Sequence, residues 1–367
     1  MTNVTEVRPV ISAWAAVSPL GISRSAFTEG LRAPCPTRFP PVHLPASTAV
    51  DKAHLVPDFD VRKVLGNKGT RSMDRATGLA VTAVGQLLAD DGLANGEHVG
   101  ENPGLVLGTS TGSAQSIMDF TRDSLVGAKP FFVDPARFPN TVMNCAAGQC
   151  AIWHHLTGPN TTIAGGRIAG LSALQYALRL HRSGRANGVL CGAVEEFSEA
   201  RAWLERHSRG EDAGKTLLGE GCAVLLLGAS GDRDGDRESG LAEVLTLRFG
   251  MWHKEDDIQP AMLACVRRAL RAAQVDPAEI WAVSSSGMSG TLGAYEQGAL
   301  DELFGSHRPK QIRCTELIGE TSAASAAFQL VSVLATGESE GNASGRIALV
   351  TSFDHDGGIG CALMRLL

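Results

Sequence analysis

The sequence lacks the cysteine patterns that hold metals or disulfide frameworks. Its eight cysteines are scattered along 367 residues, with no Cys-x-x-Cys pair and no cysteine–histidine cluster at the spacing of a zinc site. Most of them stand in apolar runs such as Gly221–Leu225, which indicates reduced, buried thiols that serve packing. We therefore expect neither a metal site nor a cofactor.

Signals for export, membrane insertion and nucleotide or nucleic-acid binding are also missing. The opening residues, MTNVTEVRPVISAW, hold no basic segment followed by an apolar one, and no apolar run approaches the roughly 20 residues of a membrane span. The turn Gly108–Gly112 is rich in Gly, Ser and Thr but does not fit GxxxxGK[ST]. A net charge of −6 argues against nucleic acid as a partner. We expect a cytoplasmic protein that binds neither membranes nor nucleic acids.

Short apolar runs alternate with helical patterns along the whole chain. The runs predict strands at Val10–Ala13, Gly104–Gly108, Thr161–Ala164, Gly188–Gly192, Ala223–Leu227, Ile280–Ser285, Ile347–Ser352 and Cys361–Leu366. Apolar residues at helical spacing predict helices near 73–87, 168–182, 262–273 and 322–336. This alternation with short loops is typical of the α/β class.

Two halves of the chain follow one plan. Each has a strand that ends in a Gly/Ser/Thr turn, GLVLGTSTG at 104–112 and AVSSSGMSG at 282–290, followed by an apolar helix and a closing strand. The polar, Gly-rich run Ala229–Gly240 reads as their connection. We therefore predict domains at 1–235 and 236–367.

One segment has the form of a nucleophile elbow. Thr161–Ala164 predicts a strand, Gly165-Gly166 a sharp turn, and Arg167 onward a helix. Many α/β enzymes present a nucleophile at such an elbow, because the positive end of the helix dipole stabilises an anion there. The residue at the start of this helix is therefore the first candidate for chemistry.

Blocks along nearly the whole chain, in a preserved order, resemble the β-ketoacyl synthases of the thiolase-like superfamily. They are VISAWAAVSPLGISRSAF at 10–27, GTSTGS at 108–113, the elbow region at 138–198, GEGCAVLLL at 219–227, SSSGMSGTLGAYEQGAL at 284–300, TELIGETSAASAAFQL at 315–330 and TSFDHDGGIGCALM at 351–364. The resemblance implies a thiolase-like αβαβα layered sandwich of two pseudo-repeated halves.

The departures from the family pattern fall on its catalytic residues. Where the family carries its acylated cysteine, this sequence has Arg167. The first catalytic histidine maps to Ser285 or Ser286, the lysine to Thr315 and the second histidine to Glu320. A guanidinium stays protonated and has no free lone pair, so Arg167 cannot carry an acyl group. We expect no catalytic residue in this chain. The sequence leaves open whether Arg167 and Glu320 form a buried ion pair.

A ketosynthase-like chain without these groups resembles the chain-length factor, or ketosynthase β subunit, of type II polyketide synthases. The resemblance implies a heterodimer with an active ketosynthase, and further partners in an acyl carrier protein and the growing polyketide chain. The complete assembly would be a β-ketoacyl-[acyl-carrier-protein] synthase, of the acyltransferase class, in which the inactive subunit sets the depth of a tunnel at the subunit interface.

By the same resemblance, the helix after Gly112 lines that tunnel. The residues expected to face it are Ala114, Ile117, Met118 and Thr121, and those expected at the interface are Arg137, Phe138, Met143, Thr161, Thr162 and Ile163. For Arg137, Phe138 and Met143 the simpler role is packing at the dimer contact alone. Because Ala114 and Thr121 are small, the sequence predicts a tunnel for a fairly long, rigid chain, such as the polyene of a highly reducing system.

Two other functions remain open on the sequence alone. One is an acyltransferase or condensing enzyme on the same fold with a displaced serine or cysteine nucleophile, although the motifs show no Ser/His or Cys/His pair. The other is a non-catalytic acyl-binding homodimer. The run Asp354–Asp356 has the residue types of a metal or acid–base cluster, but its place in the closing loop disfavours a ligand role.

Overall fold

The computed structural model describes residues 9–32, 39–45, 48–89, 102–209, 216–229 and 240–367. Within these ranges the strands are β1 Pro9–Val17, β2 Val42–His43, β3 Lys52–His54, β4 Gly104–Thr109, β5 Asn160–Ala164, β6 Val189–Glu195, β7 Leu218–Gly219, β8 Gly221–Ala229, β9 Ala242–Met251, β10 Ile280–Ser284, β11 Lys310–Gln311, β12 Ile347–Phe353 and β13 Gly358–Leu366. The helices are α1 Arg24–Arg32, α2 Val61–Leu65, α3 Arg75–Ala89, α4 Ala114–Val126, α5 Cys145–His154, α6 Ala169–Arg182, α7 Glu199–Arg209, α8 Ile258–Ala273, α9 Gly290–Phe304, α10 Thr315–Ile318 and α11 Ser325–Glu340.

The eight strands and four helices predicted from apolar patterns are confirmed. Strands β4 and β12 are buried at every residue, as expected of strands covered on both faces. Strand β9 was not predicted. Its last four residues are half-buried or exposed, so its sequence lacks the continuous apolar run by which the eight predicted strands were found.

The strand order repeats between the two halves of the chain. Ten strands form one sheet in the order β11-β10-β12-β13-β9-β1-β8-β6-β4-β5. From each outer strand inwards, two parallel contacts are followed by two antiparallel ones. The halves join where Val10 and Ile11 pair with Glu243 and Ala242. The expected pseudo-repeat is therefore confirmed at the level of topology.

The hydrophobic core stacks these halves into alternating helical and strand layers. Helices α6 and α11 pack between the strands of both halves, α3 and α5 cover the outer face of the first half, and α8 and α9 cover that of the second. Helices α6 and α11 cross closely, since a Cβ at Gly170 would lie 2.6 Å from the Ala327 backbone nitrogen. The thiolase-like αβαβα sandwich is confirmed, and its central layer brings the start of α6 close to the start of α11.

Two further expectations concern the domain boundary and membrane-spanning helices. The boundary between the predicted domains, after residue 235, lies in 230–239, outside those residues. Among the helices that the structure describes, none combines the length and the apolar character needed to cross a bilayer.

Candidate functional site

The elbow after β5 forms as the sequence predicts. Strand β5 ends at Ala164, and the short 3-10 helix Gly166–Ile168 leads directly into α6. Gly166 has a φ of +52°, and a Cβ at this position would overlap the carboxylate of Asp354. Glycine is therefore required by both conformation and space. Asp354 accepts a hydrogen bond of 2.5 Å from the Arg167 backbone nitrogen, so the closing loop fixes the elbow.

The Arg167 side chain occupies the centre of the site. It is only 2% exposed, and its Nη1 forms an ion pair with Oε2 of Glu320, which is buried to the same extent. Its Nη2 donates to the Ser286 carbonyl oxygen at 2.8 Å. The pair whose formation the sequence left open is therefore present. A buried charge needs such partners, because desolvation is costly without them.

Glu320 is held from the opposite side by the start of the last central helix. Its Oε1 accepts hydrogen bonds from the Ser322 backbone nitrogen at 2.6 Å and from Ser325 Oγ at 3.3 Å. Its carbonyl oxygen accepts from Nη2 of the buried Arg201 at 2.9 Å. The carboxylate thus lies where a helix N-terminus and a guanidinium both favour negative charge.

Of the two candidate serines, Ser286 lies in the site. Ser286 is fully buried and Ser285 is half-buried. The Ser286 hydroxyl donates to Glu296 Oε2, and its backbone nitrogen donates to Oε1 at 3.0 Å. Its carbonyl oxygen accepts from Arg167 and also from Thr315 Oγ1 at 3.3 Å. The structure therefore brings Arg167, Ser286, Thr315 and Glu320 together, with Ser285 at the side.

Glu296 is a member of this cluster that the sequence analysis missed. It is buried and also accepts a 2.7 Å hydrogen bond from Thr351 Oγ1. Burial raises the pKa of the Glu296 carboxyl, against the opposite effects of the Ser286 and Thr351 hydrogen bonds and the Arg167 charge. The signal that could have found it is its position ten residues after Ser286, on the apolar face of α9.

A cavity of about 450 Å³ lies above the cluster. Glu320 and Thr315 contribute to its walls, together with Met288, Glu316 and His355. Among the described residues that line it there is no cysteine, and Arg167 is linked to it through the ion pair with Glu320. The cavity therefore leads to the salt bridge, and hydroxyl groups such as those of Ser289 and Thr291 also line it.

The described cysteines give no sign of a displaced nucleophile. All seven, at 145, 150, 191, 222, 265, 314 and 361, are buried. Burial raises the pKa of most of these thiols, that of Cys191 to about 12. Cys265 differs, since a hydrogen bond with Cys361 lowers its pKa, but its side chain is fully buried and beyond the reach of a substrate.

No group of three potential metal ligands occurs among the described residues. Asp354 instead supports the elbow, and Trp252 Nε1 donates to its carbonyl oxygen at 3.1 Å. Asp354 therefore has a structural role at the elbow.

The helix predicted to line a tunnel is α4, capped by the Ser113 side chain, which accepts from the Ser116 backbone nitrogen. Along its predicted tunnel face the exposure of the side chains rises from the start of the helix. Ala114 is 5% exposed and Ile117 is half-buried, whereas Met118 is 53% exposed and Thr121 is also exposed. Any open surface on this face is therefore formed by Met118 and Thr121, with Ala114 packed inside the chain.

An extended apolar surface surrounds α4 and α5. Its exposed side chains are Met118, Leu125, Val126, Phe131, Phe132, Phe138, Val142, Met143 and Ile152. Arg137 is also exposed, and its Nε lies 3.8 Å from Asp134 Oδ2. Beside this surface, β5 is the outermost strand of the sheet, with half-buried Thr161, Thr162 and Ile163. A surface this apolar next to the outer edge of a terminal strand is typical of a subunit interface.

The family comparison covers both halves of the chain. Residues 8–232 match the N-terminal domain of β-ketoacyl synthases, and residues 253–338 match their C-terminal domain. Among curated relatives, 3-oxoacyl-[acyl-carrier-protein] synthase 2 of Synechocystis sp. is 28% identical over 245 residues, 62% of this chain and 59% of that protein. The tetracenomycin polyketide synthase ketoacyl synthase alpha subunit of Streptomyces glaucescens is 30% identical over 197 residues, 46% of this chain and 45% of that protein. The matched segments span about half of these relatives' length.

Solved structures resemble the chain over nearly its full length. A chain of the ishigamide ketosynthase/chain length factor is 41% identical with a TM-score of 0.88, over 98% of this chain and 99% of that one. A type II polyketide synthase ketosynthase, in complex with its acyl-carrier protein and bound to the hexaketide, is 17% identical with a TM-score of 0.80, over 98% and 99%. The second likeness shows the fold alone. Together with the domain matches, the first shows that this chain belongs to the β-ketoacyl synthase family.

Proposed function

We propose that this chain is a chain-length factor, a ketosynthase-like subunit without catalysis of its own that forms a heterodimer with an active ketosynthase. In that complex an acyl carrier protein delivers acyl units, and the growing polyketide enters a tunnel at the interface, whose depth this chain sets. The heterodimer as a whole is then the β-ketoacyl-[acyl-carrier-protein] synthase, an acyltransferase. The domain boundary near 235 stays a prediction.

The observation that carries the proposal is the ion pair between Arg167 and Glu320. Condensation requires a thiolate at the elbow and hydrogen-bond donors for a developing enolate. Here a guanidinium stands at the elbow and pairs with a carboxylate at the position that the family resemblance assigns to a donor. Both side chains are buried and make further hydrogen bonds, which supports a structural role for the pair.

The surface supports association with a second subunit. The apolar side chains around α4 and α5, with Phe131 69% exposed, lie beside the outer strand β5. Such a surface is costly in water, and an open strand edge is a template for pairing with another chain. A homologous ketosynthase provides the same edge, so a continuous sheet across a pseudo-two-fold axis would cover both surfaces.

The relatives support the choice of partners. The structure that shares 41% identity is described as a ketosynthase together with a chain length factor, and another is a ketosynthase in complex with an acyl-carrier protein. We transfer the ketosynthase, the carrier protein and the polyketide to this chain on that basis.

Chain-length control follows from volume at the interface. A tunnel ends where a side chain fills it, because packed protein leaves no room for a further acyl unit. Met118 and Thr121 lie on the exposed part of α4 and would meet the chain first. No aromatic ring occupies these positions, which favours the long, rigid product that the sequence predicts.

Co-purification tests the assembly. The chain is co-expressed with the ketosynthase encoded nearest to it, and the product is weighed by native mass spectrometry. A one-to-one complex is the expected result. A chain that remains a homodimer, and binds acyl groups in that form, would instead support the acyl-binding alternative.

A further inference from the structure

A groove of about 850 Å³ runs along one edge of the layered sandwich, between α6 and β9. Its walls include the buried side chains of Leu178, Val244 and Leu247. Three exposed arginines, Arg179, Arg182 and Arg248, stand on its rim, and we refer to it as the arginine groove. It has no part in the Arg167 site, whose residues do not line it.

The positive charge of this groove is not neutralised from within the described chain. None of the fourteen described residues that line it is acidic. The described ion pairs include neither Arg179, Arg182 nor Arg248, and Arg248 Nη1 donates to a neutral carbonyl, that of Leu247, at 2.8 Å. Three cations on an apolar groove form a local field that favours an anionic partner.

The position of the groove identifies that partner. Ile163, on the outer strand β5, contributes to its wall. On the other face of the same strand, the Asn160 side chain donates to the Ala147 carbonyl of α5 at 2.9 Å, and α5 carries Ile152, one member of the apolar surface. The apolar surface, β5 and the arginine groove therefore form one continuous side of the molecule. A subunit that pairs with β5 has the groove directly beside it.

We infer that the arginine groove receives an acidic segment of the ketosynthase subunit and thereby selects a heterodimer over a homodimer. A two-fold interface places the same surface patch of both chains at one contact. In a homodimer built on β5, two copies of the arginine groove would share that contact, and six like charges would repel. A partner with carboxylates at the corresponding place removes the repulsion and gains charge-assisted hydrogen bonds. This inference rests on the proposed heterodimer.

The test is the affinity of the intact chain for the intact ketosynthase subunit, measured by titration at low and at high salt. The double variant Arg179→Glu/Arg182→Glu is compared with Arg62→Glu/Arg308→Glu, which makes the same change in net charge at exposed positions outside the groove. We expect the groove variant to raise Kd at least about tenfold at low salt, and less at high salt, since exposed charges are screened. The control pair and Arg179→Lys/Arg182→Lys should leave Kd within about threefold of wild type.

The outcomes separate the two proposals. A wild-type chain that forms no complex with the ketosynthase overturns the proposed function, and this inference with it. A wild-type complex that the groove variant forms equally well overturns this inference alone. Thermal unfolding of each variant shows whether it is folded. If the glutamate variant does not fold, Arg179→Gln/Arg182→Gln replaces it, with a smaller rise in Kd expected and an unchanged Kd again contradicting the inference.

Discussion

The guanidinium of Arg167 forms an ion pair with the Glu320 carboxylate inside the protein, with each side chain only 2% exposed. Both residues stand at positions where related ketosynthases are expected to carry catalytic groups. In this chain the two positions are joined by one buried contact. The consequences can be measured separately for stability, catalysis and product length.

Removing one member of the pair should cost far more stability than removing both. Glu320→Gln leaves a buried guanidinium without its counter-charge, and we expect a loss of about 3–5 kcal/mol in the free energy of unfolding. The double variant Arg167→Met/Glu320→Leu should recover much of that loss, because it leaves no buried charge. Urea unfolding measures both.

The matched control is Glu316→Gln, which breaks the exposed pair with Arg313, where Nη1 and Oε1 are 3.2 Å apart. Surface pairs contribute at most about 1 kcal/mol, so little change is expected. Equal losses in unfolding free energy for Glu320→Gln and Glu316→Gln would show that the buried pair matters no more for stability than a surface pair.

Restoring a cysteine at the elbow should not restore condensation. In Arg167→Cys the thiol would face Glu320 without a cation, and a nearby carboxylate raises a thiol's pKa. Ser286 and Thr315 would still lack the imidazole and ammonium groups of the active family members. We expect no release of carbon dioxide from malonyl-carrier protein above the wild-type background. Measurable turnover by this variant would mean that the remaining groups suffice for catalysis.

Product length should follow the volume of Met118, which is 53% exposed on α4. Within the heterodimer, Met118→Ala should lengthen the products and Met118→Trp should shorten them, as judged by mass spectrometry. Met251 is also exposed but lies on β9, so Met251→Ala is a matched control and should leave the distribution unchanged. An unaltered distribution in both Met118 variants would contradict a tunnel along α4. Ala114→Phe is a weaker test, since Ala114 is packed inside the chain.

Stability should decline as the pH rises towards neutrality, and Glu196 should account for part of the decline. Burial raises the pKa of Glu196 to about 7 from a usual value of 4.5. A carboxyl whose pKa is raised by folding stabilises the fold below its unfolded pKa, and that contribution is lost as the pH rises through the folded value. The relevant window is therefore about pH 4.5 to 7.

The variant Glu196→Gln cannot titrate and should show a smaller difference in unfolding free energy between about pH 5.5 and about pH 8 than wild type. Each unit by which folding raises the pKa of Glu196 corresponds to about 1.4 kcal/mol in the pH-dependent part of the unfolding free energy, and this part is absent from the glutamine variant. The exposed Glu199→Gln is the control and should keep the wild-type slope. Parallel slopes in all three proteins would place the titration elsewhere.

The sequence allowed much of the fold to be predicted because the information is local. Strands such as β12 are continuous apolar runs, and α11 is apolar on every side, as a helix between two layers must be. The positions of Arg167 and Glu320 followed from family motifs in fixed order. Strand β9, half exposed and without such a run, escaped prediction.

The remaining parts of the site depend on contacts between distant segments. The sequence motif fits Ser285 and Ser286 equally well, because the two registers differ by one residue. Hydrogen bonds from Ser286 to Glu296 on the following helix place Ser286 in the site. Asp354 accepts a hydrogen bond from the backbone nitrogen of Arg167, which lies 187 positions earlier in the chain. Its role in the elbow could therefore not be predicted from its sequence neighbours. The arginine groove likewise exists only once α6 lies beside β9.

The most direct test of the central claim is an elongation assay with malonyl-carrier protein on three samples: this chain alone, the ketosynthase subunit alone, and the two together. The account predicts elongated products only from the combined sample, and none from this chain alone. Products from this chain alone would contradict it, because the elbow at Arg167 would then not be the inactive centre that its ion pair with Glu320 indicates.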